Sequence, residues 1–279
     1  MSEGPDQIDL SRVAVHTITC KPLSLRDLCE GLSARGFGGV SVWREAIDEA
    51  GGTAEAKAIV DGAGLRVPAL VRGGFFVSAD PEERATAIDE NRRLLDQAAE
   101  LGAEMVVIVP GSSSDVPLAE GREHVTRGLE GVLNHAENVG VTLALEPLHP
   151  MYAGDRSCVN SLAQGREICE RLTGGRIGVA VDVYHVWWDP DLEREIAALG
   201  KAGLICAFHA CDWLSDTQNR LTDRGLMGDG VIDVCGIRGM VERAGFDGDV
   251  EVEVIGERYW AGDQMAYLDQ IAERCRSAT

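Results

Sequence analysis

Eight times along this chain a short, almost continuous apolar run is followed by a segment with apolar residues at helical spacing. That alternation restricts the fold more than any other property of the sequence. The runs cover residues 13–19, 38–43, 66–73 and 103–111, followed by VTLALEP, IGVAVDVYH, LICAFHACD and VEVEVIGE. Helices are expected over 23–36, 52–63, 81–102, 118–139, 161–173 and 233–245, with DLEREIAALGKAG helical before the seventh run. Strands apolar on both faces belong to a parallel sheet covered by its crossover helices, and eight such units in 279 residues predict a single α/β domain, a (β/α)8 TIM barrel over 1–279 with a polar tail at 1–11. An open doubly wound sheet would place a glycine fingerprint after its first strand, and HTITCKPLSL carries none.

Charge narrows the partners. Lys and Arg total 26 against 46 Asp and Glu, a net charge of −20 that repels a phosphodiester backbone and argues against nucleic acid. No apolar run approaches the ~20 residues that span a bilayer, so no membrane role is expected. The start, MSEGPDQIDLS, lacks the basic flank and apolar stretch of an export signal, and the eight cysteines form no CxxC pair. Reduced thiols and a cytoplasmic location are the expectation.

In such barrels the chemistry gathers at the C-terminal ends of the strands. His16, Trp43, Arg72, Glu146, Asp182, His209 and Glu253 interrupt otherwise aliphatic runs at those ends. Glu146, Asp182, His209 and Glu253 would converge from four neighbouring strands. Three carboxylates and one imidazole form a mostly hard donor set, suited to manganese, magnesium or cobalt. Glu251 competes with Glu253 because it lies two residues earlier on the same face of the strand.

The segments LEPLHP, DVYH, FHACDW with RGLMGDG after it, and VEVEVIGE resemble the xylose-isomerase-like TIM barrels of the sugar phosphate isomerase/epimerase superfamily. The order Glu, Asp, His, Glu on strands five to eight carries the resemblance, whereas the first third matches only in its βα rhythm. The resemblance implies that Glu146, Asp182, His209 and Glu253 bind the metal, with Mn2+ first and Mg2+ or Co2+ as substitutes. It further implies that Glu146 and Glu253 also move protons on either side of a metal-stabilised enediolate. Around them His149, His185, Asp212, Trp213, Arg224, His16 and Trp43 are expected to contact a carbohydrate substrate.

A divalent-metal-dependent isomerase or epimerase of a keto-sugar or sugar phosphate is therefore expected. Two alternatives share the fold. One is a lyase, either inosose-dehydratase-like or the barrel subunit of a C-glycoside or 3-keto-glycoside cleaving enzyme that pairs with a smaller subunit; the other is a non-catalytic sugar-binding subunit. The superfamily's DNA-repair endonuclease branch uses a histidine-rich multi-zinc cluster, which six histidines and this charge oppose. Arg72, Arg156, Arg220 and Arg224 are each candidates for a phosphate, yet no glycine-rich cradle marks one, which favours a neutral sugar. A homo-oligomer is the default for a barrel of this size.

Overall fold

The structure is a computed structural model in which residues 7–172 and 175–279 are described. Its strands are β1 (Val13–His16), β2 (Gly39–Trp43), β3 (Val67–Gly74), β4 (Ala103–Val109), β5 (Thr142–Leu145), β6 (Ile177–Asp182), β7 (Ile205–Ala210) and β8 (Val250–Val252). All pair in parallel in chain order, and β1 returns to β8, so the barrel is closed and no sheet edge is left to water.

The crossover helices follow the apolar periodicity. The helix Pro81–Leu101 starts where the Asp80 carboxylate accepts the Glu82 N–H, and it ends at Gly102, whose φ of 85° is a left-handed cap. The helix Leu118–Val139 fills the predicted 118–139, and Leu162–Arg171 and Val234–Arg243 fall within the segments predicted near 161–173 and 233–245. After β8 the helix Gln264–Ala278 closes the outer layer.

Two local expectations are corrected, and one helix is added to those expected. The first strand stops at His16, and Thr17–Cys20 forms a 3-10 turn, because the Thr17 hydroxyl accepts the Trp43 N–H from β2 instead of extending the ladder. The helix expected near 52–63 forms as Thr53–Ala63, and a further, unexpected helix, Arg44–Ala50, precedes it across Gly51 and Gly52 at φ 99° and 119°. The polar tail expected over 1–11 lies outside the described residues up to residue 6; beyond it Ile8 and Leu10 are buried, and Asp9 caps a 3-10 turn at Leu10–Arg12.

Two apolar layers result. The larger packs the helices onto the outside of the barrel. The smaller contains Ala69, Val71, Met105, Val107, Ala144, Ala180 and Ala207, alternate residues of β3 to β7 that fill the interior. This pleat positions the site. Ala144, Ala180 and Ala207 each stand two residues before Glu146, Asp182 and His209, so the same alternation that buries the alanines turns those three ligand-type side chains inward at the barrel mouth.

Candidate functional site

Glu146, Asp182, His209 and Glu253 each offer an oxygen or nitrogen, and these atoms lie within 4.8 Å of one another. Glu146 directly follows β5, Asp182 ends β6, His209 lies in β7, and Glu253 directly follows β8. His209 Nδ1 is 3.0 Å from Glu146 Oε1 and 3.9 Å from Glu253 Oε2, so this nitrogen faces the carboxylates. Asp182 divides its oxygens: Oδ1 accepts the Tyr184 N–H at 2.8 Å, capping the short helix Val183–Val186, while Oδ2 faces the cluster and accepts from Arg224.

Arg224 reaches this cluster from the β7–helix loop. Its Nη1 donates to Asp182 Oδ2 at 3.0 Å and to Glu253 Oε2 at 2.8 Å, and its guanidinium lies 4.5 Å from the Tyr184 ring centroid. Its Nη2 lies 3.3 Å from His185 Nε2; because guanidinium only donates, His185 accepts there and carries its proton on Nδ1, a buried atom with no hydrogen-bond partner among the described residues.

Beneath this layer, Glu251 is buried and accepts a short hydrogen bond from Ser41, with His16 Nε2 at 3.3 Å and His209 Nε2 at 3.8 Å. His16 Nδ1 lies 3.4 Å from Glu253 and accepts from Trp43 Nε1 at 3.2 Å. Glu251 and Glu253 thus both point inward, but Glu251 belongs with His16 and Ser41, one layer below the four-residue cluster.

Electrostatics shape the protonation of this group. Burial lowers the affinity of His209 for a proton, yet its bond to Glu146 and the nearby Glu251 and Glu253 outweigh burial and raise its pKa to about 10. Burial raises Glu146, reinforced by Glu253 and opposed by the His209 bond. Burial would also raise Asp182, but Arg224, His185 and His209 hold it at about 2. His185 is pushed down to about 3, chiefly by burial, and stays neutral.

The residues fit a divalent cation. Four carboxylates (Glu146, Asp182, Glu251 and Glu253) are buried here against two cationic groups, Arg224 and His209, an excess of buried negative charge that calls for a compensating cation. The oxygen-rich donor set suits a hard or borderline ion.

An open cleft lies above the cluster, lined by Trp43, Arg72, Phe75, Leu148, Tyr152, Arg156, His185, Leu221, Arg224, Glu146 and Glu253 among others. Of the side chains expected at the substrate, Trp43, His185 and Arg224 border this cleft, whereas His16 is fully buried below it. His149 and Trp213 stand behind its wall. His149 Nδ1 accepts the Met151 N–H at 3.1 Å, and its ring packs against Trp188 and Trp213; Trp213 stacks on Tyr184 at 4.8 Å.

Asp212 is a correction. Its Oδ1 accepts the Trp213 and Ile232 N–H groups, and its Oδ2 those of Gly228 and Gly230, all at 2.8–2.9 Å. Four backbone donors occupy this fully buried carboxylate, so it anchors the loop and does not face a substrate. Gly230 belongs to the same anchor, because a Cβ there would lie 2.1 Å from the Trp213 carbonyl oxygen.

Sequence reasoning missed Phe75 and Tyr152 in the cleft wall. Phe75 sits at φ 58°, a conformation that non-glycine residues rarely adopt and that clusters at functional sites. Tyr152 follows LEPLHP by two residues, close enough to that motif to have been a candidate.

The family model described as xylose isomerase-like TIM barrel matches residues 30–273. Protein SMc04130 from Sinorhizobium meliloti 1021 is 44% identical, with a TM-score of 0.92 over 96% of this chain and 98% of that one. The IolI protein with a bound zinc atom is 21% identical, with a TM-score of 0.82 over 95% and 96% of the two chains. The 3-keto-D-glucoside 4-epimerase YcjR from E. coli is 19% identical, with a TM-score of 0.70 over 93% and 99%. No curated protein matches the chain. Among the described residues no helix is long and apolar enough to cross a membrane, and all eight cysteines are free.

Proposed function

The chain belongs to the xylose isomerase-like TIM-barrel family, and on that premise we propose that it is a divalent-metal-dependent isomerase or epimerase of a keto-sugar. The single observation that supports this reading most is the convergence of Glu146, Asp182, His209 and Glu253 at the floor of an open cleft. These four residues would hold the cation, with Mn2+ favoured by the donor set. When bound, the cation supplies Lewis-acid polarisation of a sugar carbonyl, which acidifies the adjacent C–H. The fold neighbours named above include an epimerase of a keto-glucoside and a zinc-binding protein, consistent with this chemistry.

The chain's own residues account for the rest. Glu146 and Glu253 approach from non-adjacent positions, after β5 and β8, and serve as the carboxylates that take a proton from one carbon and return it. Arg224 steadies Asp182 and Glu253 through its two ion pairs. Neutral His185 presents its Nδ1–H as a donor to a substrate hydroxyl. The rings of Trp43, Phe75 and Tyr152 supply apolar walls for a sugar face.

Proton exchange tests this. With Mn2+ in deuterated buffer, a keto-sugar substrate should incorporate deuterium next to its carbonyl, and Glu146→Gln should slow exchange by about 10^3-fold, which is ~4 kcal/mol of barrier. Exchange that persists in both Glu146→Gln and Glu253→Gln contradicts the assignment. Elimination begins with the same proton abstraction, so the appearance of an unsaturated product would move the reaction to the lyase class.

A further inference from the structure

We infer that the substrate carries an anionic group, a carboxylate or a phosphate, held at the rim of the cleft by Arg72 and Arg156. This inference rests on the sugar-metal reading of the cleft floor and deepens it by naming the substrate's charge class. The absence of a glycine cradle in the sequence favours a neutral sugar, whereas the placement of these side chains argues otherwise.

With 46 acidic residues against 26 basic ones, carboxylates are plentiful, and most arginines pair with one, although Arg44, Arg84 and Arg93 are among those that do not among the described residues. Arg66 pairs with Asp249 at 2.6 Å, Arg35 with Asp269 at 2.7 Å, Arg171 with Glu123 at 2.8 Å and Arg258 with Asp223 at 2.8 Å. Arg72 pairs with none among the described residues, although the depression beside it is bordered by Asp80, Glu82, Glu83 and Glu90. It is held instead on aromatic faces, 5.2 Å from the Trp43 centroid and 5.7 Å from that of Phe75. Arg156 is placed alike, 5.7 Å from the Tyr152 ring, with a single loose pair of 3.8 Å to the exposed Asp155. Stacking on a ring fixes a guanidinium but leaves its edge N–H donors free for a forked contact with paired oxygens.

Backbone geometry supports the same placement. β3 shifts register against β4 between Val71 and Gly73, so Arg72 is the extra residue of a bulge, a device that re-aims a side chain beside an active site. Trp43, Phe75 and Tyr152, the rings that hold the two arginines, all line the cleft that contains Glu146 and Glu253. The cleft therefore has an acidic floor, at which the sugar carbonyl is read, and a cationic rim. A neutral sugar would leave that rim unanswered. An anion at the far end of the sugar would complete it, and in a protein of net charge −20 such a local cationic rim is what would admit one.

The test measures the affinities of D-fructose, D-fructose 6-phosphate and D-fructuronate for the Mn2+-loaded protein by calorimetry. The expected result is that at least one of the two anionic sugars binds about 10-fold or more tightly than fructose. The Arg72→Gln/Arg156→Gln double variant should reduce that ratio to about 2-fold or less, while Arg72→Lys/Arg156→Lys, which keeps the charge but loses the fork and the stacking, should give a ratio between the two. Whichever anion gains more identifies the group as phosphate or carboxylate. Fructose binding as well as both anions, failure of all three to bind, or an anion preference that survives the double Gln variant overturns the inference. Mn2+ uptake, read by electron paramagnetic resonance, should be the same in every variant. A protein that takes up no Mn2+ defeats the metal reading, while the ratio measured without metal still decides the charge class.

Discussion

Replacing Asp212 with Asn removes one negative charge and one acceptor while leaving the shape of the side chain unchanged. In the native loop each carboxylate oxygen receives two backbone N–H groups, from Trp213 and Ile232 on one side and from Gly228 and Gly230 on the other. An asparagine oxygen can serve only one of these pairs, and its NH2 then confronts the other, so two donors lose their acceptor whichever way the amide turns. A buried donor left unsatisfied costs about 1–3 kcal/mol, giving about 2–6 kcal/mol in all; because the Trp213, Gly228 and Gly230 amides are only partly buried, the lower half of that range, about 3 kcal/mol, is the expectation. Urea denaturation of the Asp212→Asn variant, followed by circular dichroism, measures this directly. Asp216→Asn is the control, since its side chain is 72% exposed and its pair with Arg258 spans 3.5 Å, a change expected to stay within about 0.5 kcal/mol. Because Arg224 lies in the same loop, Asp212→Asn should also weaken Mn2+ retention. A stability within about 1 kcal/mol of the native protein would refute the anchor argument.

The raised pKa of His209, about 10, means that the metal-free protein carries a proton there at neutral pH. Mn2+ uptake at pH 7.5 should therefore release about one proton into a weakly buffered solution, and affinity should rise about tenfold per pH unit through the neutral range, levelling off near pH 10. Uptake without proton release would contradict this. The same shift has a stability sign: the folded metal-free protein binds this proton more tightly than the unfolded chain, so its contribution is complete below pH ~6.5 and is lost as pH rises through about 10. Burial raises the thiols of Cys20, Cys29, Cys169 and Cys275 to about 12, so at pH 8 these four should resist iodoacetamide in the native protein and react once urea unfolds it. Rapid native labelling of any of them, located by peptide mass spectrometry, would show that the packing around it opens.

The barrel was legible because periodicity is a property of neighbouring residues: apolar runs two-faced enough to be buried on both sides alternate with 3.6-spaced segments. The inward orientation of Glu146, Asp182 and His209 follows from the same parity, each standing two residues past an interior alanine. Glu253 and Glu251 share that parity, and only the three-dimensional stagger, with Glu251 level with His209 and bonded to Ser41, separates their layers. What periodicity does not carry is the partner of a polar group. Asp212 reads as substrate-facing because it follows the motif histidine, and the amides that take up its oxygens include three lying 16 to 20 residues further on, in what reads as a separate glycine motif. The helix Arg44–Ala50 escaped because its seven residues bury only Ile47, too little for a stripe.

The central claim is that Glu146, Asp182, His209 and Glu253 share one divalent cation at the mouth of the barrel. Crystals grown with Mn2+ and measured at the manganese absorption edge test it most directly. A single strong anomalous peak within ~2.1–2.3 Å of Glu146, Asp182 and Glu253 oxygens and His209 Nδ1 is the expected result. A peak held instead by His16, His209 Nε2 and Glu251, or none at full occupancy in saturating Mn2+, would contradict it.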